Sequence, residues 1–335
     1  MSFKIVVYET SPVIEDSFKE LSTTFDVQFV DELLSAVNVA EHSDAHVICM
    51  DQSVLNIDIL DQFKGLKMIA VRSTGYDHID IAFCNNQGIA VCNVPGYAAN
   101  AVAEHTFALL LAISRHFEAA LQYTRKTRFQ WDGLQGFELQ GKTLAVIGTG
   151  AIGKRVAEIA CGFSMKVVAY DLMPDEAWAD ARGLRYVDFE MAISCSDVIS
   201  LNVPMATGEG FLIGVSQFRQ MKDGVVIINT ARGELVDPQG LVKALDSGKI
   251  SAAGLDVLPD EHYIREKDKH PEIYFGNQFD SKNMLANNLL CQHPNVVVTP
   301  HIGWYTVEAD QRALDITVSN IICFESGSCE NVVNP

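Results

Sequence analysis

Residues 148–153, with the sequence GTGAIG, divide an apolar stretch from a helix-forming one. Residues 142–147 before them are rich in β-prone side chains, and residues 154–160 after them predict a helix. A second apolar run, 166–170, ends in Asp171. A G-x-G-x-x-G sequence binds a dinucleotide when it follows a strand, opens a helix and precedes a second strand that ends in an acid. This chain has all of these elements in that order.

Each glycine of this turn has a physical task. Gly148 permits the tight turn after the strand, Gly150 lets the backbone approach a pyrophosphate, and Gly153 lets the helix pack closely on the sheet. The helix N-terminus, at Ala151 and Ile152, offers unpaired N–H groups and a partial positive charge to phosphates. A glycine turn in an ordinary α/β protein is the competing interpretation, which the flanking elements disfavour.

Asp171 predicts which dinucleotide is bound. Its carboxylate would accept hydrogen bonds from the hydroxyls of the adenosine ribose and would repel a 2′-phosphate. The next residues, Leu172 and Met173, supply no cation for such a phosphate. The sequence therefore favours NAD over NADP as the cofactor.

Length and charge limit the class of protein. A chain of 335 residues is long for one core, so two domains are expected. Its apolar content of 48% and charged content of 20% are typical of a globular protein. The net charge of −18 argues against a nucleic-acid partner, and an anionic substrate would need a local cationic pocket.

The eight cysteines are scattered without a C-x-x-C spacing, so neither a metal site nor a disulfide framework is predicted. The N-terminus leads directly into a strand-like run, and we expect no signal peptide. The longest apolar stretch, 107–113, is too short to span a membrane. These features favour the cytoplasm, with no membrane partner.

Strand-like and helix-like segments alternate along the chain, which is typical of parallel α/β units. The first hundred residues contain strand candidates at 4–8, 27–30, 46–50, 68–71 and 89–92, with helices predicted over 11–22 and 31–40. An apolar helix over 98–122 would link two domains or form a dimer contact. Later strands are predicted at 198–201, 225–229, 252–256 and 296–299, and a final helix over 306–325 would return to the first domain.

Three segments at the ends of predicted strands form a second constellation. They are residues 229–233, 254–261 and 299–305, and together they supply a cation, a carboxylate and an imidazole. Ligands of α/β proteins bind at the carboxyl ends of strands, so these groups are expected to converge.

With these motifs the chain resembles the D-isomer-specific 2-hydroxyacid dehydrogenases, nearly from end to end. The long segment between Glu261 and His301, with Trp304 and Tyr305 after the histidine, is most similar to the D-lactate and D-2-hydroxyisocaproate dehydrogenase branch. The matching stretches are 72–80, 94–104, 148–153 with Asp171, 200–204, 229–237, 254–261 and 300–306.

The resemblance implies two doubly wound parallel-sheet α/β domains. Residues 101–299 would form a Rossmann NAD-binding domain, and residues 1–100 with 300–335 a flavodoxin-like substrate domain. The implied reaction is the reversible, NAD-dependent reduction of a 2-keto acid to the D-2-hydroxy acid. The family also implies a homodimer.

The family's catalytic roles fall on three residues. Arg232 would hold the substrate carboxylate and polarise the C2 oxygen. His301 would give a proton to that oxygen during reduction and remove it during oxidation. Glu261 would bond the other ring nitrogen and raise the pKa of the histidine.

The binding residues implied by the family fall into two sets. The cofactor would be bound by Gly148, Gly150, Ala151, Ile152, Gly153, Asp171, Val203, Pro204, Thr230, Ala231 and Asp256, the last facing the nicotinamide carboxamide. The substrate would be bound by backbone N–H groups of Ser73, Thr74 and Gly75, by Arg232, and by walls of Tyr97, Trp304 and Tyr305. The sequence departs from the family pattern at Ala206 and Glu209, which stand where threonines near the cofactor are usual.

The sequence leaves several roles and functions open. Glu261 could be one of several solvated acids with Asp260 and Glu266, His262 could replace His301 as the acid, and His105 is expected to be a packed or partly exposed histidine. Trp304 could be core packing. The chain could also be an NAD(H)-sensing, corepressor-like binding protein, or a dehydrogenase for glycerate or hydroxypyruvate, phosphite or formate.

Overall fold

Short runs of β-branched and apolar residues form two parallel sheets in the computed structural model of the chain, which describes residues 3–205, 210–261, 281–328 and 330–334. The chain divides into two units, Met1–Ala98 with Tyr305–Pro335, and Ala99–Trp304. Each unit has its own sheet and its own apolar cores.

The first unit is built on a five-stranded sheet of order β2-β1-β3-β4-β5, with every pair parallel. Alternate strand residues face two apolar cores, so Val6 and Ile48 lie in one while Ile5 and Val47 lie in the other. Its elements are β1 Lys4–Tyr8, α1 Pro12–Phe18, β2 Asp26–Val30, β3 Val47–Met50, α2 Ile57–Leu60, β4 Met68–Val71, α3 Ile81–Gln87, β5 Ala90–Cys92 and, numbered by its place in the chain, α12 Val307–Glu325.

The second unit contains a seven-stranded parallel sheet of order β12-β11-β10-β9-β6-β7-β8. Its helices, in chain order, are α4 Ala99–Ser114, α5 Phe117–Arg125, α6 Ala151–Gly162, α7 Glu176–Asp180, α8 Phe189–Cys195, α9 Val215–Gln220, α10 Pro238–Asp246 and α11 Ser281–Gln292. Its strands are β6 Thr143–Ile147, β7 Lys166–Tyr170, β8 Arg185–Tyr186, β9 Val198–Leu201, β10 Val225–Asn229, β11 Ile250–Leu255 and β12 Val296–Val298.

These strand orders confirm the predicted fold class of two doubly wound parallel sheets. The second sheet runs outward in both directions from β6, which is the Rossmann order, and the first has the flavodoxin-like order. In such sheets ligands bind beyond the carboxyl ends of the strands, where the order reverses. The glycine turn at 148–153 lies at this place, directly after β6, and its last three residues form the start of α6.

The helix predicted over 31–40 is wrong. Asn38 accepts a hydrogen bond from the backbone N–H of Ser35 (2.8 Å) and donates one to the carbonyl of Leu33 (2.8 Å). These local side-chain bonds satisfy backbone groups that a helix would otherwise use, and only a 3-10 turn at Val39–His42 forms. The helix predicted over 11–22 is likewise shorter, because α1 ends at Phe18.

The single helix predicted over 98–122 is two helices, α4 and α5. His116 adopts a left-handed backbone (φ 47°), and the carbonyl of Ser114 accepts from the N–H of Phe137 instead of continuing the helix. The apolar residues of α4 pack inside its own unit, against α6 and the sheet. Across the described ranges, no helix combines the length and the apolar character needed to cross a membrane.

Candidate active site

The glycine turn leaves the N-terminus of α6 open. Gly148 has φ 91°, and a Cβ there would lie 2.6 Å from the carbonyl oxygen of Asn202. A Cβ at Gly153 would collide with the carbonyl of Gly148, so the helix packs closely on the turn. Gly150 caps the helix, and a Cβ built on it meets no heavy atom within 4 Å. The first helical residues, Ala151 and Ile152, therefore border open space suited to a pyrophosphate.

Asp171 is tied to this turn at the end of β7. One carboxylate oxygen accepts from the backbone N–H of Thr149 (2.6 Å) and from its hydroxyl (3.0 Å), and the other from the N–H of Met173 (2.9 Å). Partial burial opposes ionisation, but these hydrogen bonds outweigh it and hold the pKa of Asp171 below its usual value. An ionised acid, a tight glycine turn and an open helix N-terminus together fit an NAD molecule.

Arg232 follows β10 on a loop fixed by neighbouring polar groups. Asn229 donates to the carbonyl of Arg232 (2.8 Å) and accepts from the N–H of Ala231 (3.1 Å). Thr230 bonds the hydroxyl of Thr106 on α4 at 3.0 Å. The half-buried Arg232 donates from Nη1 to the carbonyl of Ala231 (2.9 Å). The loop thus holds one guanidinium at the carboxyl edge of the sheet.

His301 and Glu261 come together from two different loops. Nδ1 of His301 is hydrogen-bonded to Oε1 of Glu261, whose other oxygen accepts from the N–H of Leu258 at 3.2 Å. Burial lowers the pKa of His301, but the bond to Glu261 and the charges of Glu261 and Asp256 outweigh burial and the opposing charge of Arg232, so its pKa is raised. The imidazole is 38% exposed and directs Nε2 away from Glu261.

The acid that contacts His301 is Glu261, although Asp260 is its neighbour in sequence. Asp260 instead accepts a hydrogen bond from the side-chain amide of Asn283 (3.1 Å). His262 and Glu266 lie outside the described residues, as do Ala206 and Glu209.

Asp256 is buried beneath the loop that carries His301. Its side chain is 2% exposed and accepts from Thr299 (2.5 Å) and from the N–H groups of Ile302 (3.0 Å) and Gly303 (2.8 Å). His105 on α4 contacts the same carboxylate at 3.2 Å, a contact that the sequence analysis missed. The sequence signal for this contact is the polar triplet 104–106 inside an otherwise apolar helix. Polar groups that are buried need hydrogen-bond partners, so such a triplet indicates contacts with other elements.

In the first unit, residues 73–75 form a loop after β4 with open N–H groups. The loop is fixed by its carbonyls and hydroxyls: Ser73 accepts from the N–H of Val94 (3.0 Å), and Thr74 donates to the carbonyl of Val94 (2.7 Å). In the part of the chain that the structure describes, the N–H groups of Ser73, Thr74 and Gly75 donate no hydrogen bond. Three consecutive N–H groups that donate no hydrogen bond are suited to bind a carboxylate.

The remaining predicted wall residues differ in exposure. Tyr97 is buried in the first unit (7% exposed), whereas Tyr305 of the same unit is 67% exposed. In the second unit, Trp304 and Val203 are half-buried and Pro204 is exposed.

The chain is similar to known dehydrogenases over most of its length. Residues 107–303 match the family model described as "D-isomer specific 2-hydroxyacid dehydrogenase, NAD binding domain". The chain is 33% identical to a D-lactate dehydrogenase of Escherichia coli, covering 98% of this chain and 99% of that protein. It is 35% identical to an aromatic 2-oxoacid reductase of Clostridium sporogenes, covering 98% of each.

A solved structure of a D-lactate dehydrogenase is also similar to the chain over nearly its whole length. The D-lactate dehydrogenase of Aquifex aeolicus, complexed with NAD and lactic acid, superposes with a TM-score of 0.87 at 34% identity and covers 99% of each chain.

Proposed function

Because the chain belongs to the D-isomer-specific 2-hydroxyacid dehydrogenase family and is an NAD-dependent oxidoreductase, we propose that it reversibly reduces a small 2-keto acid to the D-2-hydroxy acid, as a D-lactate dehydrogenase does. The observation that carries this proposal is the His301–Glu261 pair, with the guanidinium of Arg232 held on the loop after β10 at the carboxyl edge of the same sheet. A proton donor and a fixed cation are the two groups that reduction of a 2-keto acid needs beside a hydride source.

His301 is the proposed acid and base. With Nδ1 bonded to Glu261, its Nε2 carries the proton that passes to the C2 oxygen during reduction and returns during oxidation. The anionic partner stabilises the imidazolium and raises the pKa of His301, which favours the protonated form that reduction requires.

Arg232 is the proposed binding group for the substrate carboxylate and the C2 oxygen, since its planar fork can donate to both. The open N–H groups of Ser73, Thr74 and Gly75 are proposed to bind the same carboxylate. Tyr97, Trp304 and Tyr305 are proposed to surround an apolar R group, which favours substrates larger than formate.

NAD is the cofactor, and its placement is proposed from the second unit. The turn 148–153 would take the pyrophosphate at the N-terminus of α6, and Asp171 the adenosine ribose. The other proposed contacts are Val203, Pro204, Thr230, Ala231 and Asp256. When bound, the nicotinamide supplies or accepts the hydride at C2.

The proposed assembly is a homodimer. The apolar content of α4 does not support it, because that helix is packed inside its own unit. The support comes instead from the segment that follows, in which Phe117, Phe129 and Trp131 are 57%, 93% and 82% exposed. The proposed location is the cytoplasm, a reducing compartment in which the described cysteines remain free thiols.

The experiment that tests the function is an NADH-oxidation panel over pyruvate, 2-ketoisocaproate, phenylpyruvate, hydroxypyruvate, oxaloacetate and glyoxylate. We expect steady turnover of at least one 2-keto acid with NADH and much less with NADPH, because Asp171 repels a 2′-phosphate. Arg232→Ala is expected to lower kcat/KM by more than about a hundredfold while NADH still binds.

The matched control is Arg155→Ala, which removes an exposed arginine that contacts Glu158 and Asn100. This variant should be active. NADH binding without turnover of any acid would contradict the proposed reaction.

A further inference from the structure

His105 reaches from the middle of α4 to the ends of two strands. Its Nε2 lies 2.9 Å from the hydroxyl oxygen of Thr299 and 3.2 Å from Oδ1 of Asp256, and only 17% of its side chain is exposed. Thr299 follows β12 and Asp256 follows β11. The histidine therefore joins a helix to the two loops that lead to Glu261 and His301.

The hydrogen bonds fix the tautomer of His105. An ionised Asp256 can only accept, so the hydroxyl of Thr299, 2.5 Å away, must donate to it. The Thr299 oxygen and Asp256 Oδ1 are then both acceptors toward Nε2 of His105. Nε2 consequently carries a hydrogen and shares it between the two oxygens.

Asp256 connects His105 to the loop that carries His301. Its carboxylate accepts the N–H groups of Ile302 and Gly303, and its carbonyl accepts the N–H of His301 at 2.8 Å. These three consecutive N–H groups determine the path of the loop. His301 itself is held in a left-handed backbone (φ 55°), a conformation that persists only when the surroundings impose it.

The packing around Asp256 leaves little freedom. A Cβ on Gly303 would lie 2.9 Å from Oδ2 of Asp256 and 3.3 Å from Cδ2 of His105. The loop therefore lies directly against both side chains, and a displacement of the carboxylate would move the backbone beside His301.

We propose that His105 is a positioning residue for proton transfer: its Nε2–H holds Asp256 and Thr299 in the arrangement that orients His301 toward Glu261 and the substrate. This inference rests on the proposed function of His301. It assigns to His105 an effect on the chemical step that a packing residue would not have.

A matched pair of amide variants tests the proposal. In His105→Gln the amide nitrogen can take the place of Nε2, whereas in His105→Asn the same group ends near the place of Nδ1 and cannot reach Asp256. We expect His105→Asn to lower kcat about tenfold or more, as small misplacements of catalytic groups do, and His105→Gln to recover most of this loss. Both variants should still bind NADH, because the proposed pyrophosphate and ribose contacts at residues 148–153 and Asp171 are untouched.

Two readouts separate positioning from packing. The solvent isotope effect on kcat should rise in His105→Asn, because proton transfer becomes slower than the other steps. In protein with isotopically labelled histidine, the His301 resonance, assigned with His301→Ala, should titrate at lower pH in His105→Asn than in the wild type and in His105→Gln.

The NMR titration needs neither substrate nor turnover, so it remains informative if no 2-keto acid is reduced and the proposed reaction fails. Equal kcat values and an unchanged His301 titration in both variants would overturn the positioning role. If His105→Asn fails to fold, Thr299→Val removes an acceptor of the same Nε2–H, and an unchanged His301 titration in that variant would overturn the role as well.

Discussion

Glu9 in the first unit and Asp256 in the second hold their loops in the same way. Each follows the last residue of a strand, β1 or β11, and each is nearly buried. Glu9 accepts the N–H groups of residues 51–53 after β3, and Asp256 accepts those of Ile302 and Gly303 after β12. In both units a carboxylate satisfies the backbone of a loop at the carboxyl edge of the sheet.

The two carboxylates differ in the basic side chain beside them. Glu9 lies 3.5 Å from the guanidinium of Arg72, which also donates to the carbonyls of Tyr8 (2.8 Å) and Glu9 (3.2 Å). Asp256 lies beside His105. The guanidinium of Arg72 contributes a permanent positive charge, whereas His105 contributes a hydrogen-bond donor, its Nε2–H.

The difference matches the group that each network holds. Arg72 is followed directly by Ser73, Thr74 and Gly75, whose open N–H groups are proposed to bind a carboxylate that stays ionised. The Asp256 network leads to His301, whose proposed role requires a proton to leave and return. A permanent ion pair thus supports static anion binding, and a hydrogen-bonded network supports a group that titrates.

The largest expected effect concerns the ion pair. Arg72→Met leaves the Glu9 carboxylate buried without its cation, and we expect the free energy of unfolding to fall by about 3 kcal/mol. KM for the keto acid should rise, because residues 73–75 follow directly, while NADH affinity stays the same. Urea unfolding and steady-state kinetics measure these changes.

The control for that variant is Arg155→Met, which removes an exposed arginine whose partners are Glu158 and Asn100, and should cost less than about 1 kcal/mol. The double variant Glu9→Gln with Arg72→Met should be less destabilised than the sum of the single changes, since no charge is left unpaired. Equal urea midpoints for Arg72→Met and Arg155→Met would show that the guanidinium does not hold the first network.

The next effect concerns pH. Glu261→Gln removes the anion and the ionic hydrogen bond that raise the pKa of His301, so that pKa falls. Reduction needs protonated His301. The rate of reduction should therefore begin to fall at a lower pH in this variant than in the wild type. At neutral pH kcat for reduction should fall about tenfold, the equivalent of one hydrogen bond to a charged group.

The opposite direction provides an internal check, because oxidation needs neutral His301 and its acidic limb should extend to lower pH in the same variant. Asp260→Asn is the matched control, since Asp260 bonds Asn283 and not His301. Identical pH profiles for Glu261→Gln and the wild type would assign the titration to a different group.

Local patterns were enough to predict most of the fold. Buried parallel strands are continuous apolar runs, so β1, β6 and β10 lie within a residue of their predicted bounds. The two-residue strand β8 was missed because so short a segment has no periodicity. The helix predicted over 31–40 failed because Asn38 offers the backbone local partners, which composition does not reveal.

The site was predicted only as far as its individual residues. The order of motifs placed Glu261 and His301 in the same constellation, and their contact is present. Asp256 stays the proposed contact of the nicotinamide carboxamide, but the sequence did not predict that its carboxylate also bonds the loop of His301 and His105. That network joins residues more than 40 positions apart, and only tertiary packing brings them together.

The smallest expected effect compares the Glu9 and Asp256 networks directly. Each network contains a hydroxyl that donates to the carboxylate at 2.5 Å. Ser53→Ala removes it from Glu9, and Thr299→Val removes it from Asp256. Each change should lower the free energy of unfolding by about 1 kcal/mol. Only Thr299→Val should also lower kcat, by about threefold, because only its network orients a group that exchanges a proton. Equal effects of the two variants on kcat, measured beside urea unfolding, would mean that the networks do not differ in function.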